Sequence, residues 1–341
     1  MNKLELYAYN GDKLTIEEEN EKFSGGEGKV YSLPLQGKNE YLVKVYKDEI
    51  LRDSSKMKEI SRRISDMVKM KQFYRTPFFA WPIMKVMNAR QEVIGFAMRK
   101  CAGSSFKTLC GPRFIRKRFP GWTRRQLAMT ALDFVRKVRM LAAYNIFIND
   151  FNPQNFLVND QGEVMFIDCD SYQVPSSTFG VNVTRTIFPT HVAPELLMDK
   201  SLLDKPRTIH QVEFGTALTV FNIILCGQHP YNYCDAANDS QNSEPISLEE
   251  NLRRGRSPLL SGSDINFPKG VWYNLWSWLP YDLKNTFVTM FGKGHSNPNS
   301  RPSLMTLQTG LETFLEEMNH TPEEEDMEPR NPKSVSFKVV S

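Results

Sequence analysis

Apolar residues recur with two different periods along this chain, and the change of period divides it. Up to about residue 100 they fall in short β-rich runs, YLVKVY at 41–46 and VIGFAM at 93–98. One segment there is different. KMKEISRRISDMVKMK, 56–71, has apolar residues at 57, 60, 64, 67 and 68, the spacing of one helix face. From about 124 helical spacing dominates, beginning with the long amphipathic stretch RRQLAMTALDFVRKVRMLAAYN at 124–145. After it come a loop and a strand–turn–strand: FLV at 156–158, a turn at Asp160, Gln161 and Gly162, then VMFI at 164–167. The most apolar stretch, VEFGTALTVFNIILC at 212–226, is shorter than the ~20 residues a membrane span needs. It also carries Glu213 and Asn222, so it reads as a buried core helix. Residues 319–341 are charged and Pro-rich and read as a disordered tail.

Length and composition add bounds. The 341 residues suffice for one large domain or two lobes. Forty per cent hydrophobic and 24% charged is ordinary globular composition, and a net charge of +4 implies neither nucleic acid nor membrane. The basic run at 111–127, with Lys107 just before it, is interleaved with Phe and Trp; it reads as a solvated face or a docking site for an acidic protein rather than a nucleic-acid surface. The five cysteines form no C-x-x-C and the five histidines no zinc spacing, so free thiols in a reducing cytoplasm are expected. The acidic start of the chain lacks the apolar run of a secretory signal.

The polar residues between the helices carry the chemistry. Asp150 and Asn155 stand in the frame D-x-x-x-x-N, and Asp168 directly follows VMFI. Any one of them alone is explained as a turn residue. Together, flanking a strand pair, they place two carboxylates and an amide oxygen where hard oxygen ligands could hold Mg²⁺ and a substrate phosphate. Upstream, FSGGEGKVY at 23–31 offers Gly25, Gly26 and Gly28 before Val30; glycines allow close approach to a phosphate, though a hairpin turn explains them equally. Lys44 lies within an apolar strand and needs a partner unless it faces solvent. A phosphate with a glutamate from the following helix would serve, and Glu59 is a better candidate than Glu49.

Taken in order, the Gly-rich loop, strand lysine, helix glutamate, D-x-x-x-x-N, D-x-x and Ala193-Pro194-Glu195 resemble the protein-kinase signature set. The stretches DFNPQN at 150–155 and DCDSYQ at 168–173 look like a bacterial branch of Ser/Thr protein kinases. That branch carries D-x-N-P-x-N and D-x-D-S-[FY]-Q, and is associated with TerY-type tellurium-resistance proteins and metal-dependent phosphatases. FFAWPIMKV (78–86), GFAM (95–98), GQHPY (227–231) and FGKGHSNPNSRPS (291–303) agree with it, so the resemblance covers roughly residues 20–315.

The resemblance implies an α+β, bilobal kinase-like fold: a small β-rich lobe with one helix at 1–98, a hinge and mostly helical lobe at 99–318, then the tail. It implies an ATP-dependent, cytoplasmic serine/threonine protein kinase using Mg²⁺ or Mn²⁺, with a protein substrate and a possible cognate phosphatase or TerY-type partner. Gly25, Gly26, Gly28 and Val30 would cover the nucleotide. Lys44, held by Glu59, would grip the α- and β-phosphates. Met98, Arg99, Lys100 and Cys101 would form the adenine-binding hinge. Asp150 would be the catalytic base, Asn155 and Asp168 would hold the metal, and Glu195 would pair with Arg301.

The chain also departs from the family. Phe23 stands at the first glycine position and Ile148-Asn149 replace the His-Arg before the catalytic Asp. Asn152 replaces a lysine of protein kinases at large, as is common in this branch, Cys169 the Phe of D-F-G, His210 an Asp that anchors the catalytic loop, and Phe188 a threonine. Without the Arg, activity is expected not to be gated by activation-loop phosphorylation. A nucleotide-binding pseudokinase or scaffold is the alternative reading; an aminoglycoside-phosphotransferase-like small-molecule kinase is a more distant one.

Overall fold

The computed structural model describes residues 3–8, 11–17, 21–35, 38–178, 180–232, 234–235, 246–259, 265–266 and 270–333. In chain order the elements are β1 (Lys3–Ala8), β2 (Lys13–Glu17), β3 (Glu21–Ser24), β4 (Gly28–Leu35), β5 (Lys38–Tyr46), α1 (Asp48–Leu51), α2 (Ser54–Lys69), α3 (Lys71–Tyr74), β6 (Pro82–Met87) and β7 (Val93–Arg99). There follow β8 (Ser104–Ser105), α4 (Pro112–Arg118), α5 (Arg124–Ala143), β9 (Phe156–Val158), β10 (Val164–Phe166), β11 (Val174–Ser176), β12 (Gly180–Asn182), α6 (Pro194–Met198) and α7 (Ile209–Ile224). Last come β13 (Cys234–Asp235), α8 (Leu248–Arg254), β14 (Ile265–Asn266), α9 (Val271–Ser277), α10 (Tyr281–Phe291), α11 (Lys293–Ser296) and α12 (Leu304–Glu317).

The chain divides into two compact units. The first comprises Met1–Gly103, Asn155–Leu157 and Met165–Thr184; the second comprises Ser104–Gln154, Val158–Val164 and Arg185–Ser341. In the first unit seven antiparallel strands run in the order β2-β1-β6-β7-β5-β4-β3. The sheet curls until β2 approaches β4. Leu6, Ile16, Tyr31, Leu33, Val43, Val86 and Ala97 fill the inside of the curl. The alternation of β5 therefore sends Val43 inward and Lys44 to the other face. The helix expected over 56–71 is α2, begun two residues earlier because Asp53 caps the amides of Ser55 and Lys56. It turns Ile60, Arg63, Ile64 and Met67 inward and is tied to the sheet by Trp81, whose indole N–H donates to Met67 O at 2.8 Å. Backbone bonds from Ala80 to Phe166 O and from Phe166 to Phe78 O lock β10 beside 78–80.

The second unit is helical. α5 and α7 each start with a capping box, at Thr123 with Gln126 and Thr208 with Gln211. α5 packs against α7 and α12. α7 is buried along most of its length, as expected for the apolar stretch at 212–226. Among the described residues no helix is long and apolar enough to cross a membrane.

The tail expected at 319–341 needs correction over 319–333. Residues 322–325 form a helical turn, Met327 is buried, and Lys333 pairs with buried Glu324 at 2.6 Å. Composition suggested disorder, but the acidic cluster has basic partners elsewhere in the unit. Arg125 meets Glu325 at 2.8 Å, Arg116 meets Glu328, and buried Arg124 donates to the carbonyls of Glu324 and Leu275. Arg118 pairs with Asp160 at 2.9 Å. Much of the basic run is thus answered inside the fold, and part of the acid it was expected to meet is the chain's own. Residues 334–341 lie outside the described residues.

Candidate active site

Lys44 sits opposite Val30 on β4 and Phe96 on β7, and is only 7% exposed. An ammonium buried this deeply is destabilising without partners. Its three N–H bonds are taken: Asp168 Oδ1 at 2.7 Å, Asp170 Oδ1 at 2.9 Å and Asp170 Oδ2 at 2.8 Å. The Tyr46 and Phe96 rings lie 5.6 and 5.9 Å from Nζ. Burial alone would lower the Lys44 pKa; the two carboxylates overcome it and hold the ammonium well above the ordinary lysine value.

Glu59, the expected partner, is not in this cluster. The register of α2 points it to solvent. The helix residue that reaches the cluster is Arg63, one turn on, whose Nε donates to the backbone carbonyl of Asp170 at 2.7 Å. Nothing in the spacing singled out Asp170; only its place in D-C-D could have suggested it.

The local backbone explains how two aspartates reach one lysine. Asp168 has φ 57° and ψ 36°, a left-handed conformation uncommon outside glycine. The amide and hydroxyl of Ser171 both donate to Asp168 O, at 3.1 and 2.8 Å, closing a tight turn over 169–171. Their environments differ: the side chain of Asp168 is 35% exposed and that of Asp170 is 2%. Burial raises both carboxyl pKa values and Lys44 lowers both. The balance leaves Asp168 below the ordinary value and Asp170, further raised by Asp168, above it. Asn155 is held nearby in the chain fold, since the Ile167 amide donates to its carbonyl at 2.9 Å. The open Asp168 carboxylate and the Asn155 amide oxygen are donors that suit Mg²⁺. Among the described residues no cluster of three or more His, Cys, Asp or Glu could cage a metal. That donor set fits an ion that takes its other ligands from water and phosphate.

The glycines form the β3–β4 turn. The Gly25 amide donates to Gly28 O at 2.9 Å. A Cβ on Gly28 would lie 2.7 Å from Val45 O, so only glycine lets β4 start this close beside Lys44. Gly26 has open space around it. Phe23 is 61% exposed beside this turn. Glu27, unnoticed in the sequence, pairs with Lys56 of α2 at 2.9 Å. In the expected hinge Met98 is buried and Arg99 closes β7 against Tyr41. The Lys100 amide is bonded to Glu40 O at 2.8 Å, and Cys101 Sγ lies 3.7 Å from Pro77 O.

In the second unit Asp150 is 9% exposed at the end of a buried run, Ile148-Asn149. Its Oδ1 accepts the Asn152 amide at 3.2 Å, and Asn152 Oδ1 accepts the Gln154 amide at 3.0 Å. Two successive Asx turns thus shape this loop. His210 is not its anchor. The His210 ring meets Glu213 at 2.9 Å and its carbonyl accepts from Arg301. Instead the ring of Phe151 packs on Gly215 of α7, where a Cβ would come within 2.5 Å. Arg301 and Glu195 form the expected pair, bidentate at 2.9 and 2.7 Å, and the Phe188 ring lies tilted against His191 with ring centroids 5.5 Å apart.

No protein-family model matches the chain. It is 25% identical over 263 residues to "Protein kinase YegI" of Escherichia coli O157:H7, covering 74% of this chain and 39% of that protein. It is 25% identical over 191 residues to "Protein kinase YegI" of Escherichia coli strain K12, covering 53% and 29%. The chain therefore spans well under half the length of these relatives. Among solved structures, the "ROP18 kinase domain in complex with AMP-PNP and sucrose" matches over 95% of this chain and 87% of that one, with a TM-score of 0.56 and 16% identity. The fold is that of a protein-kinase domain, and the chain is similar in sequence to bacterial proteins that carry the name protein kinase.

Proposed function

We propose that this chain is an ATP-dependent protein kinase that transfers the γ-phosphate to serine or threonine hydroxyls of a protein substrate. The observation that supports this most is the buried Lys44 ammonium bonded to Asp168, itself in a left-handed backbone after β10. That pair suits a nucleotide site, because the lysine stays charged for phosphate oxygens while Asp168 retains an open edge for a cation. In this reading Lys44 holds the α- and β-phosphates, and the amides of Gly25, Gly26 and Gly28 cover them with Val30 above the base. Met98 to Cys101 face adenine. Asn155 and Asp168 hold Mg²⁺, which supplies neutralisation of phosphate charge when bound. Asp150 accepts the proton of the attacking hydroxyl, and its Asx turn keeps one oxygen oriented.

Incubation with γ-labelled ATP, Mg²⁺ and a generic protein substrate tests the reading. Recovery of phosphoserine or phosphothreonine supports it. Label confined to tyrosine, or to a small molecule such as an aminoglycoside, would replace it.

A second reading, a nucleotide-binding scaffold that transfers poorly, is favoured by Asn152. Its side chain is bound to the Gln154 amide, at the position where protein kinases at large carry a lysine and the resembled D-x-N-P-x-N branch an asparagine. Nucleotide binding without label transfer would select it.

A further inference from the structure

We infer that Asp170, and not a glutamate of α2, is the carboxylate that positions Lys44 for phosphate, with Arg63 and Tyr46 as its supports. The inference rests on the kinase reading above and concerns the same site.

Two of the three Lys44 hydrogen bonds go to Asp170, one to each oxygen. Asp170 is held from two further sides. The Tyr46 hydroxyl donates to Oδ2 at 2.9 Å and Arg63 Nε donates to its carbonyl at 2.7 Å. Charge-assisted bonds of this kind are the stronger ones and fix geometry. The division of labour follows from exposure. Asp168, open to solvent, can exchange its lysine contact for a cation or a phosphate. Asp170, sealed at 2% exposure, has no such alternative and keeps the lysine aimed throughout. The D-C-D spacing makes this possible, because the turn closed by Ser171 folds both carboxylates onto one ammonium. α2 then contributes through Arg63 and a main-chain carbonyl. Asn182 donating to Asp66 of α2 at 3.0 Å ties β12 to the same helix. Glu59 faces solvent and takes no part. The lysine is thus positioned by the metal-binding segment itself.

The test compares Asp170→Asn, Glu59→Gln and Tyr46→Phe with the wild-type chain by two readouts. The first needs no catalysis: the rate at which an N-hydroxysuccinimide ester acylates Lys44 at one fixed pH, followed by peptide mass spectrometry. Removing the two hydrogen bonds that Asp170 makes to Nζ frees the amine to reach the reagent. Asp170→Asn should label severalfold faster, Tyr46→Phe should shift in the same direction by less, and Glu59→Gln should match wild type. The second readout is the split between KM for Mg-ATP and kcat. Asp170→Asn should raise KM for ATP, while Glu59→Gln stays within about twofold, as a surface change does. If Asp170→Asn does not fold, Tyr46→Phe decides alone. Unchanged labelling in Asp170→Asn, or accelerated labelling in Glu59→Gln, overturns the inference. A wild-type chain that transfers no phosphate would remove the kinase reading, and the labelling pattern would still show which carboxylate holds Lys44.

Discussion

The ring of Phe151 rests directly on the α-carbon of Gly215: a Cβ there would come within 2.5 Å of it. Phe151 follows Asp150, so this contact carries the position of α7 into the loop that bears the proposed base. Gly215→Ala should displace Phe151 at a stability cost of about 1–3 kcal/mol. Phosphate transfer should fall at least tenfold while ATP binding holds. Chemical denaturation, nucleotide titration and turnover on one preparation separate the three effects.

The Arg301–Glu195 pair should behave as a buried brace. The Arg301 side chain is fully buried, and also donates to the carbonyls of Gly294 and His210. Removing one partner of such a pair leaves the other uncompensated. Arg301→Ala should lower unfolding free energy by about 3–5 kcal/mol. A urea midpoint close to wild type would contradict the bracing role.

Acid should destabilise the second unit. His229 donates from Nε2 to Thr190 O at 2.8 Å, accepts the Tyr231 amide at Nδ1, and meets the His191 ring at a centroid distance of 5.4 Å. Burial lowers the pKa of His191 to about 3 and of His229 to about 4, from 6.5. Below 6.5 the unfolded chain therefore binds more protons than the folded one, and stability rises with pH through this window. Acidifying from neutrality to about pH 5 should remove about 2 kcal/mol per histidine. Urea midpoints measured across that range check it, and a midpoint flat between them would contradict it.

Phosphorylation of the segment after Asp168 should be dispensable. Thr184 is buried with its hydroxyl on Ser171 O at 2.7 Å, and Asn182 is bonded to Asp66, so hydrogen bonds already hold this segment. Ser177, Thr178 and Thr186 are exposed. Changing those three to Ala should leave the transfer rate within about twofold, as for surface substitutions. A collapse in rate would show that a phosphate is needed.

Residues 321–333 should be structural. Ending the chain after His320 exposes the pocket of Met327 and leaves Arg124 buried with one backbone partner fewer. The shortened chain should lose about 3 kcal/mol or more, because an uncompensated buried charge remains. An unchanged melting temperature would contradict this packing.

Much of the local structure around the candidate site could be read from the sequence because its parts are local. D-x-x-x-x-N, the strand pair and the alternation around Lys44 are short-range patterns, and the strands and helices expected from them are β5, β7, β9, β10, α2, α5 and α7. What could not be read depends on distant geometry. Periodicity allows a glutamate on the inner face of α2, but only the register of the folded helix shows that Arg63 turns inward and Glu59 outward. Asp170 was hidden because a left-handed residue at 168 is needed to fold it back onto Lys44. Gly215 was invisible inside an apolar run. The acidic segment at 323–328 has a disordered composition, and only folding brings it to Arg116, Arg124 and Arg125.

The most direct test of the central claim is a paired measurement on Asp150→Ala and Asp168→Ala beside the wild-type chain. Mg-ATP affinity and transfer of the γ-label to protein would be measured on the same samples. The account predicts that wild type does both, Asp150→Ala binds Mg-ATP but transfers at most about a hundredth as much, as loss of a general base implies, and Asp168→Ala is impaired in both. Transfer that survives in either variant, or a wild-type chain that binds no nucleotide, would contradict it.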